Sequence, residues 1–128
     1  MQTAPRLRVA LAVLAVVVFA TIWRVAATTP SYQTLSIRNT TGYDVDVAVS
    51  SDGREWLGLG TFAHHHTTVL HDVADQGETW WFQFRSQGEE AGQITVGRRQ
   101  LVADDWALDI PPRIESDLRT RGVPLPPQ

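Results

Sequence analysis

Residues 44–50 read DVDVAVS. In an extended chain successive side chains point to opposite faces, so Val45, Val47 and Val49 share one side while Asp44, Asp46 and Ala48 share the other. An apolar face against a charged one is the pattern of a half-buried strand in an antiparallel sheet. Whether the fold is all-β depends on whether the pattern recurs on both sides of this segment.

It does. Upstream, QTLSIR (33–38) places Leu35 and Ile37 on one face, and the NTTG after it turns the chain. Downstream, SDGR contains Asp52-Gly53, a pair suited to a hairpin turn that needs positive φ. The return strand REWLGLG (54–60) is expected to bury Leu57 and Leu59, with Trp56 on the face of Gly58 and Gly60. TTVLHDV (67–73) reads as a short strand that contributes Leu70. TWWFQFR (79–85) puts Trp80, Phe82 and Phe84 on one face and Trp81, Gln83 and Arg85 on the other. SQGEEAG is a polar connection, QITV (93–96) turns Ile94 and Val96 inward, and WALDI (106–110) closes the sheet with Trp106, Leu108 and Ile110. Between the last two, GRRQLVADD reads as one helical turn with Leu101 beneath it. Short strands punctuated by turns every eight to twelve residues define an all-β sandwich or barrel.

The layout resembles small extracytoplasmic immunoglobulin-like sandwiches in strand count and turn spacing. That resemblance implies a single domain of about seven antiparallel strands over residues 34–110. A short helix is expected at 111–122. Pro111 and Pro112 preset its entry, Glu115 and Asp117 lie toward its N-terminus, Arg119 and Arg121 occupy the last turn, and Gly122 stops it. Ile114 and Leu118, four apart, form its apolar stripe. VPLPPQ (123–128) reads as a proline-rich extended tail.

The front of the chain is of another kind. MQTAPRLR (1–8) precedes a fifteen-residue apolar run, VALAVLAVVVFATIW. At 1.5 Å per residue the run covers about 22 Å, and extension to Ala27 covers about 28 Å, close to a bilayer core of ~30 Å. The extension needs the Arg24 stem to lie along lipid while its guanidinium reaches headgroups beside Trp23. Residues 9–27 are therefore expected to form a transmembrane signal-anchor helix, with 1–8 as a cytoplasmic n-region and 28–33 as a linker. A cleaved signal peptide ending near Val25-Ala26-Ala27 is the alternative, in which case the domain is secreted. Either way the body of the protein lies outside the cytoplasm.

The eleven basic residues are all arginine; with Arg6, Arg8 and Arg24 at the front, eight arginines face fourteen acids, a net charge of −6. Such a surface repels nucleic acid. A lysine-free chain has the composition expected of a high-GC bacterium. No cysteine is present, which excludes disulfides, thiolate nucleophiles and cysteine metal sites.

Every histidine falls in FAHHHTTVLH (62–71). In extended backbone His64 and His66 point the same way about 7 Å apart at Cα, with His65 opposed. Two imidazoles make a weak metal site, and His71 or Asp72 is the nearest third ligand. Trp56 and Trp81, expected to face outward, are candidate platforms for a sugar or a partner protein. An acidic trio of Asp104, Asp105 and Asp109 lacks the spacing of a known calcium loop. Asn39-Thr40-Thr41 is a glycosylation sequon. Ser50-Ser51, Glu89-Glu90 and Asp104-Asp105 have no catalytic context, so no enzyme and no cofactor are expected. The expected partners are the membrane, through the N-terminal helix, and another envelope protein; a module binding sugar or metal is the alternative.

Overall fold

The computed structural model describes residues 31–127. The expected n-region, anchor helix and first linker residues lie outside them. Among the described residues no helix is long and apolar enough to cross a membrane.

The chain runs β1 (Tyr32–Asn39), β2 (Val45–Ser50), β3 (Leu57–Phe62), β4 (His66–Ala74), β5 (Thr79–Ser86), β6 (Glu89–Gly97), α1 (Arg98–Ala103), β7 (Ala107–Asp109) and α2 (Pro112–Thr120). Two sheets form, a three-stranded one ordered β4-β1-β7 and a four-stranded one ordered β3-β2-β5-β6. Their apolar faces share a single buried cluster, the arrangement of a β-sandwich. Leu35, Ile37, Val45, Val49, Trp80, Phe82 and Phe84 in that cluster are wholly enclosed. These are the alternating positions of the sequence.

Four departures from the sequence pattern have physical causes. First, the strands are not all antiparallel. β7 runs parallel to β1, pairing Ser36 with Ala107 and Arg38 with Asp109. The helical turn α1 between β6 and β7 moves the chain from one sheet to the other. Second, β3 carries an extra residue, Leu59, where its register with β2 shifts between Val47 and Ala48. The bulge reverses the facing of the residues beyond it. Phe62 turns inward and is buried, whereas Leu57 on this outer strand stays 46% exposed and Leu59 half-buried. Third, the polar connection after β5 is only Gln87-Gly88, both at positive φ, a two-residue hairpin turn. β6 therefore begins at Glu89, four residues before the expected QITV. Fourth, Trp106 is half-buried and not a core residue; it packs edge-on to Trp80 with the Arg98 guanidinium over its ring.

The outer strands share one property. β3 is bulged at Leu59, β4 has an extra residue at His71-Asp72 opposite Thr34, β6 has an extra residue at Ala91, and β7 is three residues long. Bulges and short strands break the row of free backbone groups that a foreign strand would need.

α1 and α2 both pack against β6. Leu101 from α1 and Ile114 and Leu118 from α2 enter the core. α2 ends as its sequence requires: the Gly122 N–H donates to Arg119 O and the Val123 N–H to Leu118 O, each at 3.0 Å, with Gly122 at φ +75°. This double closure satisfies the last carbonyls and turns Val123 back into the core.

Candidate functional site

The outer face of the four-stranded sheet is built from three rows of paired residues. One row is polar: Thr61 lies beside Asp46 and Asp46 beside Arg85, which pairs with Glu90. The Thr61 hydroxyl donates to the Asp46 carboxylate. The middle row is Gly58, Ala48, Gln83 and Gln93. Here Gln83 donates from Nε2 to Glu90 Oε1 at 3.1 Å. The last row pairs Ser50 with Trp81 and Trp81 with Thr95. Because Gly58 and Ala48 bring almost no side chain, the middle row is low. A shallow trough of about 230 Å³ results, lined by Asp46, Val47, Ala48, Gly58, Gly60, Thr61, Gln83 and Arg85.

Trp56 and Trp81 close that face at the β2–β3 end. Trp56 immediately precedes β3, and both indoles are half-buried. The Ser51–Trp56 connection folds over Trp81 so closely that a Cβ on Gly53 would stand 3.1 Å from the ring. One face of this indole is therefore occupied by backbone, whereas sugar stacking uses a free face. The connection is held by its own side chains. Gly53 N–H donates to Ser50 Oγ at 2.9 Å, and Asp52 Oδ1 accepts from the Arg54 and Glu55 amides at 2.8 and 3.1 Å. The Arg54 amide first, then that of Glu55 and the Ser50 hydroxyl, hold the Asp52 carboxyl below the usual carboxylate range.

The outer face of the three-stranded sheet bears a larger groove, about 570 Å³, lined by Ser36, Arg38, Thr67, Asp104, Ala107, Leu108 and Asp109. Arg38 and Asp109 form a two-pronged pair across it at 2.9 and 2.6 Å. Asp109 is thus engaged by a cation, and Asp104 accepts from Gln100 Nε2 at 2.9 Å.

The histidine segment is a tight turn at the corner where the chain leaves the four-stranded sheet for the three-stranded one. The His66 N–H closes it onto Ala63 O at 3.2 Å, with His65 at φ 56°. Asp44 Oδ1 accepts both the backbone N–H of His64, at 2.9 Å, and its ring Nδ1, at 2.7 Å. The His64 ring bond, then its amide, hold the Asp44 carboxyl below the usual range against the opposing effect of desolvation. His66 Nδ1 lies 2.7 Å from His64 O, and the two ring centres are 6.5 Å apart. His71 sits elsewhere, in the β4 bulge. Among the described residues no group of three or more His, Cys, Asp or Glu side chains is arranged to hold a metal ion.

Sequence reasoning missed the buried polar knot beside this turn. Asn39 and Thr41 are each 1% exposed. Asn39 Nδ2 donates to Tyr43 O and Phe62 O at 2.8 and 2.9 Å, while its Oδ1 accepts from the Thr41 amide and hydroxyl at 3.0 and 2.7 Å. The sequon asparagine thus has no free amide nitrogen in the folded protein. The only signal in the sequence was a run of turn-forming polar residues, which reads as exposed.

Compared with known proteins, the chain matches no family model, no curated protein sequence and no solved structure.

Proposed function

We propose that the chain is a membrane-tethered, extracytoplasmic, non-catalytic domain that binds another envelope protein through the outer face of its four-stranded sheet. The observation that carries this reading is the trough over Gly58 and Ala48, a recess between a charged row and the row that holds Trp81, sized for a partner's bulky side chain. The outer strands add support from the opposite direction. With three of them bulged and the fourth only three residues long, binding by strand addition is disfavoured and a face is left as the means of contact. The tether rests on the apolar run at 9–27 and the arginines that precede it.

Strand order favours an immunoglobulin-like Greek key. β1 beside β4 corresponds to strands B and E, and β2, β5 and β6 correspond to C, F and G, with β3 as C′. β7 then flanks strand B, in parallel, where strand A would lie. On this assignment the trough lies on the face of the C′CFG sheet.

Photocrosslinking tests the reading. A photoreactive amino acid placed at Gly58 or Ala48 of the full-length chain, in the membrane of its own host, is expected to give a discrete protein adduct. The same group at Ser36 or Thr67, on the three-stranded face, is expected to give none. Adducts from Thr67 with none from Gly58 would overturn the assignment.

A further inference from the structure

The corner turn holds two imidazoles in a form suited to coordination, independently of the face described above. A carboxylate and a backbone carbonyl both accept hydrogen bonds and cannot donate them. Asp44, like any ordinary aspartate, is ionised at neutral pH. The proton in the 2.7 Å contact between His64 and Asp44 Oδ1 must therefore sit on His64 Nδ1. By the same logic the 2.7 Å contact between His66 Nδ1 and His64 O places the proton on His66 Nδ1. When the rings are neutral, the lone pair of each is on Nε2, directed away from these partners. Metal-binding histidines characteristically donate their second ring nitrogen to a carboxylate or carbonyl in this way, which fixes the tautomer and raises the basicity of the donor nitrogen.

The geometry of the pair points in the same direction. His64 is fixed twice by one oxygen, through its amide and its ring, so its orientation is set by the start of β2. The turn itself is pinned from outside by the His65 N–H donating to Thr41 O at 3.3 Å. With metal–nitrogen bonds of about 2.0–2.1 Å and a nitrogen–metal–nitrogen angle of about 90–110°, two imidazoles on one ion place their ring centres roughly 4.5 to 5 Å apart. The observed 6.5 Å separation is wider than that by about 1.5–2 Å, so the exposed His66 side chain has to swing toward His64 for the two to share an ion.

We infer that His64 and His66 form a two-imidazole site for a borderline divalent transition ion, copper(II) or zinc, with the remaining positions filled by water and with Asp44 as the residue that positions His64. Borderline ions suit imidazole donors, and copper(II) tops the affinity order at nitrogen sites. His71 takes no part, being in the β4 bulge.

The test uses the full-length chain in detergent near neutral pH, titrated with copper(II) chloride and followed by calorimetry and electron paramagnetic resonance. The expected result is one ion per chain with hyperfine structure from two equatorial nitrogens. His64→Gln and His66→Gln should each lower affinity at least tenfold, and His71→Gln should leave it unchanged. Asp44→Asn should weaken binding by about 10- to 100-fold while the two-nitrogen signature persists, an effect on the ligand's orientation and basicity. The histidine tautomers of the unsubstituted chain, read from long-range nitrogen–proton correlation spectra without metal, should both be Nδ1–H; this holds the inference to account even if a variant fails to fold. Nε2–H tautomers at these two positions would overturn it. So would copper binding that survives His64→Gln with His66→Gln, or that falls equally in His71→Gln.

Discussion

Tyr43 reaches across eighty positions of sequence to donate its hydroxyl to the carbonyl of Val123 at 2.9 Å, and both residues are buried. The bond joins the β1–β2 turn to the residue that closes α2, so the helix is fastened to the sandwich beyond its own apolar stripe. A second bond runs alongside, from the Gly42 amide to Glu115 Oε1 at 3.1 Å. Removing the hydroxyl in Tyr43→Phe leaves the Val123 carbonyl buried without this donor. The expected loss is about 1–2 kcal/mol in urea unfolding of the full-length chain. A loss below about 0.3 kcal/mol would mean that water replaces the bond and that the tail is not fastened as described.

Asn39 anchors the other side of the same turn, and its replacement should cost more. Asn39→Ala takes the Nδ2 donor from the carbonyls of Tyr43 and Phe62 and the Oδ1 acceptor from the Thr41 amide and hydroxyl, all in or beside the core; only the Thr41 hydroxyl and Tyr43 O keep each other, at 3.2 Å. At roughly 1–3 kcal/mol for a stranded buried group, a loss of at least about 2–4 kcal/mol is expected from chemical unfolding. The same geometry predicts that folded protein produced through a eukaryotic secretory route carries no glycan at Asn39. Mass spectrometry of the soluble fraction checks this, and a glycan on natively folded material would contradict the buried placement.

What the sequence made legible was the set of strands with one face against the core. Val45, Val47 and Val49, and Trp80, Phe82 and Phe84, lie on inner strands with neighbours on both sides, so each side chain has only one environment to fit and the period of two survives intact. Legibility failed at the outer strands. The single residue inserted at Leu59 changes no composition, yet it puts Phe62 on the same face as Leu57, which strict alternation would set on opposite faces. Gln87-Gly88 is a weaker turn signal than Asn-Gly, so the start of β6 was absorbed into a loop. The candidate sites were half visible. His64 and His66 could be paired by spacing, but Asp44, twenty positions before His64, becomes the partner of His64 only when β2 and β3 lie side by side. The trough depends on Gly58 standing beside Ala48, a register no linear pattern records.

Acid should destabilise the fold through a small set of carboxylates. Asp44 is lowered by the His64 ring and amide, and Asp52 by the amides of Arg54 and Glu55. For Asp75, burial pushes the carboxyl up, but the Gly77 amide and the Arg98 and Gln33 side chains outweigh it, so it too ends below its usual range. A carboxyl with a folded value below its unfolded value of about 3.9 binds fewer protons when folded. Its contribution is complete above the unfolded value and disappears as pH falls through the folded one. The urea midpoint should therefore be flat from about pH 7 to pH 5 with respect to these groups and drop below about pH 4. In Asp44→Asn the drop should be shallower; an unchanged slope would mean that the His64 contacts do not persist in solution.

Gly53 stands where two constraints coincide, and a double-mutant cycle can separate them. Its φ of +75° strains any residue with a Cβ, and that Cβ would press on the Trp81 ring at 3.1 Å. Gly53→Ala is expected to cost about 1–2 kcal/mol from backbone strain alone, with the ring contact adding to it. In the Trp81→Ala background the steric share disappears and the backbone share remains, giving a coupling of about 0.5–1 kcal/mol. Gly58→Ala is the control: a Cβ there meets no atom within 4 Å, so a change within about 0.5 kcal/mol is expected. Strict additivity between Gly53→Ala and Trp81→Ala would show that the connecting segment does not rest on the indole. The face of Trp81 on the Gly53 side would then be free for a ligand, and the indole would regain its standing as a platform for sugar.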